Sequence, residues 1–484
     1  MAPARYSGPM RMFTTYANAH DTMLEAALRP VDLRVAPGAE TTAATLVMDP
    51  ARPRQRIDGF GASITQATSY LWHNAMRHPH RALRDLFSVT EGIGISMLRQ
   101  PVGPSDHVTR PYRFTRRRPD RHLRTLDFRP EEYTILPMVK AAQAMRAQSM
   151  GPAASAPDLN IIVSPWSAPW WMKTNFSALG KRPLTRLTGW LRPAAYPVYA
   201  EYLARFIETY RRHGLHVFGV TPTNEPDYPQ SRWPSMAMSP SQQARFIARF
   251  LAPCLRAHGL GDVRIMCWDH NYSTDHYPDG RFVRELYMDP RAFAATAGSA
   301  WHYYGGAART MSDIHRRWPT KGIWVTEASG GDWGPHNWDD ALVTMGARVI
   351  SMMNNWAQSA VLWNIALDTR GGPDYYYLRN DHTHSSNRGL LTVDRRTGET
   401  TRNADYYALG HFSKFVPIGS HCITSELCKA QRLHAAAFAT PDSAVAAVLC
   451  NERVDPATLR IDVRGRESQT LALPARSLTT VVFD

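Results

Sequence analysis

Two glutamates have the sequence positions expected of catalytic carboxylates. Glu225 follows the apolar run HVFGVTP in HVFGVTPTNEP, and Glu327 follows another in GIWVTEAS. A carboxylate just past a buried strand stabilises the core poorly, but the loops that begin there often shape a pocket. Two such carboxyls could cleave a glycosidic bond, one protonating the leaving oxygen and one attacking or activating water. Taken singly, either glutamate could instead cap a helix or pair with an arginine.

The middle of the chain alternates short apolar runs with amphipathic segments. Three of these segments are EEYTILPMVKAAQAM, YPVYAEYLARFIETYRRHG and SPSQQARFIARFLAPCLRAHG. The last two have apolar residues at helical spacing and end at Gly214 and Gly259, as helices often do. The predicted strands are IDGFGAS from Ile57, SMLRQPVG from Ser96, NIIVSPW from Asn160, HVFGVTP from His216, RIMCWDH from Arg264, GSAWHYYGG from Gly298, GIWVTEAS from Gly322 and SAVLWNIALD from Ser359. Eight strands with interposed helices predict an α/β fold, a (β/α)8 TIM barrel. A doubly wound sheet is the rival, but GFGAS lacks the third glycine of a phosphate-binding turn.

Both ends of the chain have a different pattern. From about Phe415, short alternating segments (HAAAFAT, SAVAAVLC, LRIDVRG, LTTVVFD) predict a small antiparallel β-sandwich attached to the barrel. The segments VDLRVAPG and TAATLVMD near the N-terminus are also strand-like, and chain termini often lie close together. We therefore predict N-terminal strands of the sandwich in residues 1–55, the barrel in 56–414 and the C-terminal sandwich in 415–484.

The chain is basic, with a net charge of +14 over 484 residues. Much of the excess lies in RPYRFTRRRPDRHLR, from Arg110 to Arg124. A solvated loop is the simplest interpretation, and the alternative is a basic surface that attracts an anionic membrane or an acidic polysaccharide. Nucleic acid is disfavoured as a partner because no binding motif accompanies the charge. The oligomeric state cannot be predicted from these patterns.

Cysteine and histidine spacing predicts no metal and no cofactor. The five cysteines contain no CxxC pair and the histidines form no HExxH motif. Cys422 and Cys428 could close a hairpin in an oxidising compartment, but free thiols are favoured. No stretch approaches the roughly 18 apolar residues of a membrane span. The first residues lack the apolar core of a signal peptide, which predicts a cytoplasmic protein, or a secreted or periplasmic one if the N-terminus is incomplete.

Eight motifs in order give the chain a resemblance to a known family. They are IDGFGASITQA, EGIGISMLRQPVGPSDH, SPWSAPWWMKTN, VTPTNEP, WHYYGG, WVTEAS, LWNIALDTRGGP and GHFSKFVPIGS, and they extend roughly from Arg56 to Ser420. The chain resembles glycoside hydrolase family 30, especially its glucosylceramidase branch, whose relatives include β-1,6-glucanases. The resemblance implies a retaining mechanism on a barrel with an attached β-sandwich.

The resemblance also assigns roles to the two glutamates. It implies that Glu225 of TNEP is the acid/base and that Glu327 of TEAS is the nucleophile. An acid that protonates the leaving group is expected to have a raised pKa in a desolvated setting. Once Glu327 is glycosylated its charge disappears, so Glu225 can ionise and activate water.

Further residues are implied to bind the sugar or support the glutamates. Asn224 matches the donor to the sugar 2-hydroxyl, and Arg99 matches the arginine that steadies the nucleophile. The remaining candidates are Asp106 and Trp166 for the outer hydroxyls, Trp363 as the aromatic floor, Tyr304 near the nucleophile, His302 in a supporting position, and Asn380 at the rim. For each tryptophan a core position is the alternative, and a lone histidine is more often structural than catalytic.

The substrate is less constrained than the reaction. Leu362 stands directly before Trp363, where the glucosylceramidase branch has an aspartate, and the segment after Gly372 is longer and different. We expect a retaining β-glucosidase of the glucosylceramidase type. Alternatives are an endo-β-1,6-glucanase, a β-xylosidase or β-fucosidase, and, in another class, an inactive carbohydrate-binding relative. An enclosed pocket with an apolar rim favours a lipid glucoside, whereas an open groove favours a glucan.

Overall fold

The computed structural model describes residues 10–17, 24–34, 44–116, 118–151, 159–333, 340–375 and 385–484. Within them no helix is both long enough and apolar enough to cross a membrane.

Eight parallel strands form a closed barrel at the centre of the chain. They are β4 (Gly59–Ser63), β5 (Met97–Val102), β6 (Asn160–Pro165), β7 (Val217–Val220), β8 (Arg264–Asn271), β9 (Gly298–His302), β10 (Gly322–Glu327) and β11 (Ser359–Asn364). Neighbours in sequence pair in space, and β11 closes the ring on β4. Seven strands lie within the predicted segments and β8 extends one residue beyond RIMCWDH, to Asn271, so the TIM-barrel prediction is confirmed.

Apolar side chains fill the inside of the barrel. One separate cluster takes a residue from seven of the strands, namely Met97, Ile162, Phe218, Met266, Ala300, Trp324 and Val361. Glycine is required where strands approach most closely, because a Cβ on Gly298 would lie 1.9 Å from the carbonyl oxygen of Gly322. The interior is therefore a packed core, and a ligand has access only at the ends.

Helices surround the barrel on its outside. In the described part of the chain they are α1 (Gln66–Asn74), α2 (Pro79–Phe87), α3 (Arg129–Thr134), α4 (Leu136–Met150), α5 (Tyr196–Arg212), α6 (Pro240–Phe246), α7 (Ala252–Ala257), α8 (Arg281–Tyr287), α9 (Pro290–Ala295), α10 (Arg309–Arg317), α11 (Ala341–Asn354) and α12 (Ala404–Ser413). A π-helical turn, Ile247–Leu251, joins α6 to α7. The helices α5 and α7 end just before Gly214 and Gly259, which have φ values of +74° and +68° as expected after a helix.

A nine-stranded sheet forms the second structural unit. Its strands are β1 (Met10–Ala17), β2 (Leu24–Pro30), β3 (Ala44–Arg56), β15 (His421–Cys428), β16 (Leu433–Ala439), β17 (Val445–Asn451), β18 (Ala457–Val463), β19 (Gln469–Leu473) and β20 (Ser477–Phe483). Their order is β19-β18-β3-β15-β16-β17-β20-β1-β2, so N-terminal strands lie within the C-terminal sheet. Strands that are far apart in this order contribute to one apolar cluster, which includes Leu471 of β19 and Met12 of β1. The sheet therefore folds over itself and forms a sandwich.

The strand predictions are less complete at the N-terminus. The sequence patterns do not predict β1 or β2, and the described part of VDLRVAPG contains only an isolated bridge from Arg34 to Leu471. The domain boundaries predicted after residues 55 and 414 stay a prediction. A three-stranded sheet of β12 (Ala366–Asp368), β13 (Leu391–Val393) and β14 (Thr400–Arg402) follows the last barrel strand. All five cysteines are free thiols, including Cys422 and Cys428.

Candidate active site

The two predicted glutamates lie together at the carboxyl ends of the barrel strands. Glu327 is the last residue of β10, and Glu225 lies in the loop after β7. Backbone bonds pin this loop to its neighbours, since Asn224 N donates to Pro165 O at 2.8 Å and Glu225 N donates to Asp269 O at 3.0 Å. Glu225 has a φ of +43°, a conformation that a residue with a side chain adopts only when its surroundings impose it. The loop therefore fixes the Glu225 carboxyl at the rim.

Arg99 of β5 hydrogen-bonds three residues of the site, Glu327, Asn224 and Asp269. Its guanidinium is fully buried and donates through Nη1 to Glu327 Oε2 at 2.7 Å. Nη2 donates to Asn224 Oδ1 at 2.7 Å and to Asp269 Oδ2 at 2.9 Å. Charge-assisted bonds of this kind are short and directional. They orient the Glu327 carboxylate and hold the Asn224 side chain in one amide orientation.

Asp269, which the sequence analysis did not single out, is a buried anion beneath the two glutamates. It is fully buried and, besides Arg99, accepts from Ser164 Oγ at 2.6 Å, Thr221 Oγ1 at 2.7 Å and Thr326 Oγ1 at 2.6 Å. Burial opposes ionisation, but Arg99, His302 and Ser164 outweigh it and lower the pKa of Asp269 well below its usual range. Asp269 is therefore a permanent negative charge that balances Arg99.

Two histidines face Glu225. His302 Nδ1 lies 3.1 Å from Glu225 Oε1, and its Nε2 lies 3.1 Å from Asp269 Oδ1. His270 Nδ1 lies 3.3 Å from the same Glu225 oxygen. Burial alone would lower the pKa of His302, but the carboxylates of Glu327, Asp269 and Glu225 raise it to about 9. His302 is thus an imidazolium at neutral pH.

The charge distribution reverses one expectation about Glu225. Burial favours its neutral form, yet His270 and His302 outweigh burial and lower the pKa of Glu225. The pKa of Glu327 is raised, chiefly by burial, with further contributions from Glu225 and Asp106 against the attraction of His302 and Arg99. The raised pKa expected for Glu225 is therefore wrong for the unliganded site, where the proton beside Glu225 resides on His302.

Two tryptophans and an aspartate form one wall of the site. The rings of Trp166 and Trp363 stack at 4.7 Å with an interplanar angle of 16°. Asp106 lines the same cavity, and its Oδ1 is buried without a hydrogen-bond partner among the described residues. Burial raises the pKa of Asp106. An unsatisfied acceptor beside an aromatic wall is suited to a ligand that has both hydroxyl groups and an apolar face.

Tyr304 completes the surroundings of Glu327. Its hydroxyl donates to Glu327 Oε1 at 3.0 Å, and its side chain is 38% exposed, so it borders the opening. All predicted site residues but one therefore meet in one place. Asn380 lies outside the described residues, and its predicted contact with a substrate stays a prediction.

The cavity between these groups has a volume of about 870 Å³. Its lining includes both glutamates, the two tryptophans, Tyr304 and His270, and it continues to a polar rim made of Asp227, Tyr228, Trp233, Asp275 and His276. The ligand atoms of Glu225, His270 and His302 lie within 4.8 Å of one another, a spacing that could hold a metal ion. In this structure the two nitrogens of His302 contact Glu225 and Asp269, each at 3.1 Å.

A TIM barrel with a β-sandwich and a pair of carboxyls at the strand ends is an architecture of glycoside hydrolases, and the sequence matches one family of these enzymes. The chain belongs to glycosyl hydrolase family 30: residues 57–416 match its TIM-barrel domain and residues 419–481 match its β-sandwich domain. The predicted family is confirmed, and the protein is a glycoside hydrolase.

The chain is similar both to glucosylceramidases and to endo-1,6-β-glucanases. Lysosomal acid glucosylceramidase of Mus musculus is 28% identical over 441 residues, which cover 87% of this chain and 79% of that protein. An endo-1,6-β-D-glucanase of Neurospora crassa is 28% identical over 392 residues, covering 79% and 75% respectively. The solved structure of the endo-β1,6-glucanase BT3312 superposes with a TM-score of 0.83 at 27% identity and covers 99% of both chains.

Proposed function

We propose that this protein is a retaining β-glucosidase in which Glu327 is the nucleophile and Glu225 is the acid/base. The observation that carries the proposal is the spacing of the two carboxyls around one atom. His302 Nδ1 lies 3.1 Å from Glu225 Oε1 and 4.0 Å from Glu327 Oε1. Such proximity favours the separation of about 5–5.5 Å in retaining glycosidases over the roughly 6.5–9.5 Å of inverting ones.

Glu327 is oriented for attack on the anomeric carbon. One of its oxygens is held by Arg99 and the other by Tyr304. As the bond from carbon to Glu327 forms, the bond from carbon to the aglycone oxygen breaks, and that oxygen takes a proton from Glu225. Arg99 donates to Asn224 Oδ1, which leaves the Asn224 NH₂ group to donate to the sugar 2-hydroxyl, a contact that strengthens in the transition state.

His302 supplies the proton that Glu225 delivers. In the resting site Glu225 is ionised and His302 is protonated, so the His302 proton passes to Glu225 as Glu225 protonates the departing oxygen. In the second step water attacks the anomeric carbon, Glu327 leaves as a carboxylate, and the water proton returns through Glu225 to His302 Nδ1. Both steps balance in protons. Neither step requires that Glu225 be protonated in the resting site, where it lies beside His270 and His302.

Replacing His302 tests this proton path through the pH dependence of kcat/KM. The raised pKa of His302 keeps it protonated up to about pH 9, so the wild-type alkaline limb is expected near that pH. In His302→Gln, Glu225 must hold the proton itself, so activity is lost at its lower pKa. We expect the alkaline limb to move down by at least about one pH unit and kcat/KM to fall about 10²-fold.

A matched control for this prediction is His434→Gln. His434 pairs with Glu452 in the β-sandwich, away from the cavity. Its pH profile should coincide with that of the wild type. An unshifted alkaline limb in His302→Gln would show that His302 only supports the fold.

The surface beside the active site supports a lipid glucoside as the substrate. A second cavity of about 300 Å³ is lined largely by aromatic and proline side chains, including Tyr112, Phe114, Trp170 and Tyr375. It lies between the loops that follow β5 and β6, the same loops that provide Asp106 and Trp166. An apolar cavity adjoining the sugar site suits a hydrophobic aglycone.

An exposed hairpin next to both cavities has the composition of a membrane contact. Bridges from Lys173 to Leu191 and from Lys181 to Thr188 pair its two sides. At its tip Leu184 is 97% exposed and Leu187 is 52% exposed. The cations Lys181, Arg182 and Arg186 accompany them. Exposed leucines among cations suit the interface of an anionic membrane, where each leucine contributes roughly 1.5–3 kcal/mol and each cation about 1 kcal/mol.

The base of this hairpin is fixed by a buried lysine. Lys173 Nζ donates to Ser167 Oγ at 2.8 Å and to the carbonyl oxygens of Ala178, Leu179 and Ser235 at 2.9, 2.9 and 2.6 Å. Four oxygen acceptors therefore surround the buried Nζ, which has at most three N–H groups to share among them, and burial lowers the pKa of Lys173 well below its usual range. These bonds join the loop after β6 to the loop after β7. The tip is therefore presented in a fixed position relative to the sugar site.

A substrate panel tests the proposed specificity. It compares an aryl β-glucoside, glucosylceramide in vesicles containing phosphatidylserine, and β-1,6-glucan. We expect hydrolysis of the first two, with at least tenfold faster cleavage of glucosylceramide in anionic than in zwitterionic vesicles, and little release from the glucan. Rapid endo-cleavage of β-1,6-glucan with no action on glucosylceramide would contradict the lipid specificity.

The variant Leu184→Ser/Leu187→Ser separates membrane contact from chemistry. It should lose at least tenfold in vesicle binding and in glucosylceramide turnover while hydrolysing the aryl glucoside at the wild-type rate. Met288→Ser removes a comparably exposed apolar side chain at the end of α8 and is the matched control. Equal losses in both variants, or none in either, would contradict a specific role of the hairpin.

An endo-β-1,6-glucanase is the second candidate function. The favouring observation is the polar rim of the larger cavity, where Asp227, Asp275 and His276 could bind hydroxyl groups of further sugar units. The panel above distinguishes the two candidates by product, because an endo-enzyme releases oligosaccharides and the proposed enzyme releases glucose.

A further inference from the structure

A second cluster of chemically reactive side chains lies on the outer ring of helices. Glu201 belongs to α5, Cys254 to α7, and His258 directly follows α7. One ligand atom from each lies within 4.8 Å of the others, and all three residues are partly exposed. None of them lines the cavity of the active site. The spacing Cys-x₃-His puts its two residues on one helix face, directed at the glutamate of the neighbouring helix.

A fourth residue orients the histidine in a characteristic way. His258 Nε2 lies 2.8 Å from Glu201 Oε2, while its Nδ1 lies 2.8 Å from Glu208 Oε1. Metal-binding histidines usually donate their other ring N–H to a carboxylate, which fixes the tautomer and strengthens the ligand. Glu208 occupies that position, so Nε2 is directed at the point where Glu201 and Cys254 converge.

From this geometry we infer that Glu201, Cys254 and His258 form a binding site for Zn²⁺. Carboxylate oxygen, thiolate sulfur and imidazole nitrogen are the three donor types that Zn²⁺ accepts, at about 2.0–2.3 Å, and a water molecule takes the fourth position. Binding releases the thiol proton of Cys254 and the proton between His258 Nε2 and Glu201 Oε2. The Glu201 carboxylate and the Cys254 thiolate then neutralise the charge of the ion. The His258 Nδ1–H keeps its proton and donates to the Glu208 carboxylate.

The site has a structural consequence. It joins α5, which follows β6, to α7, which follows β7, so a bound ion links two successive helices of the barrel. The motif spacings sought in the sequence do not reveal it, because its ligands come from two helices 53 residues apart. The alternative interpretation is a histidine cation held between two glutamates, with Cys254 only nearby.

Cobalt substitution tests the site directly in the intact protein. Co²⁺ bound to a thiolate gives a sulfur-to-metal charge-transfer absorption in the near ultraviolet, and the Glu225–His270–His302 group contains no cysteine. We expect this absorption to saturate at one Co²⁺ per chain, to disappear on addition of Zn²⁺, and to be absent in Cys254→Ser and His258→Gln. In Glu208→Gln the affinity should fall about 10–100-fold.

Cys428→Ser is the matched control, because Cys428 is an exposed thiol 3.6 Å from Glu426. It should retain the absorption at full strength. An absent absorption in the wild type, or one that survives in Cys254→Ser, overturns the zinc site and leaves the charged histidine interpretation. Each of these results is independent of the glycosidase proposal, since the aryl glucosidase activity of Cys254→Ser should stay within twofold of the wild type.

Discussion

Glu327→Gln should reduce kcat toward every glucoside by at least about 10⁴-fold, because the amide cannot form the glycosyl-enzyme. Glutamine has nearly the same shape as glutamate: its one oxygen can keep the bond from Arg99, and its NH₂ group can donate to the Tyr304 hydroxyl oxygen. The loss should therefore be chemical, with KM and the thermal midpoint of unfolding little changed. Initial rates on an aryl β-glucoside and a thermal unfolding curve check both parts.

The control for this variant is a surface glutamate. Glu285→Gln removes a carboxylate of α8 that pairs with Arg281 at the surface, and its activity should stay within twofold of the wild type. If Glu327→Gln retained a tenth of the wild-type kcat, Glu327 could not be the nucleophile.

Glu225→Gln should separate the two halves of the reaction. A substrate with an activated leaving group needs no protonation, so the first step should continue and give a burst of one equivalent of aglycone. The second step needs a base to activate water, so steady-state turnover should fall about 10²–10⁴-fold. A stopped-flow record of aglycone release with a dinitrophenyl glucoside measures both phases.

Azide provides the decisive readout for that variant. Because azide is already anionic, it needs no base, and it should restore turnover of Glu225→Gln and yield the β-glucosyl azide. The β configuration shows that azide attacked a covalent intermediate on Glu327. No acceleration by azide, or an α-configured product, would contradict the assigned roles.

The barrel and most of its site could be predicted because strand ends carry the relevant residues. Arg99, Glu225 and Glu327 each lie in or after a short apolar run, and a closed barrel brings all such ends to one rim. The strands β1 and β2 could not be predicted from MRMFTTYA and LEAALRP, because β1 pairs with β20 at the other end of the chain and β2 pairs with β1 at the edge of the sheet. Local patterns cannot reveal contacts between distant segments.

The electrostatics of the site depend on the same kind of distant contact. Asp269 is the penultimate polar residue of RIMCWDH, and a bend there, with φ values of +76° at Trp268 and +64° at Asp269, places its carboxylate beneath the glutamates. Nothing in the sequence shows that His270 and His302 converge on Glu225. For that reason the sequence predicts a raised pKa for Glu225, and the assembled site lowers it.

The central claim, a covalent intermediate on Glu327, is tested most directly by trapping it. A 2-deoxy-2-fluoro-β-glucoside with an activated leaving group slows the second step, so the sugar accumulates on the nucleophile. Mass spectrometry of the digested protein should locate one fluoroglucosyl group per chain on the peptide that contains Glu327, and Glu327→Gln should remain unlabelled. Labelling at any other residue, or none with a substrate that is turned over, would contradict the account.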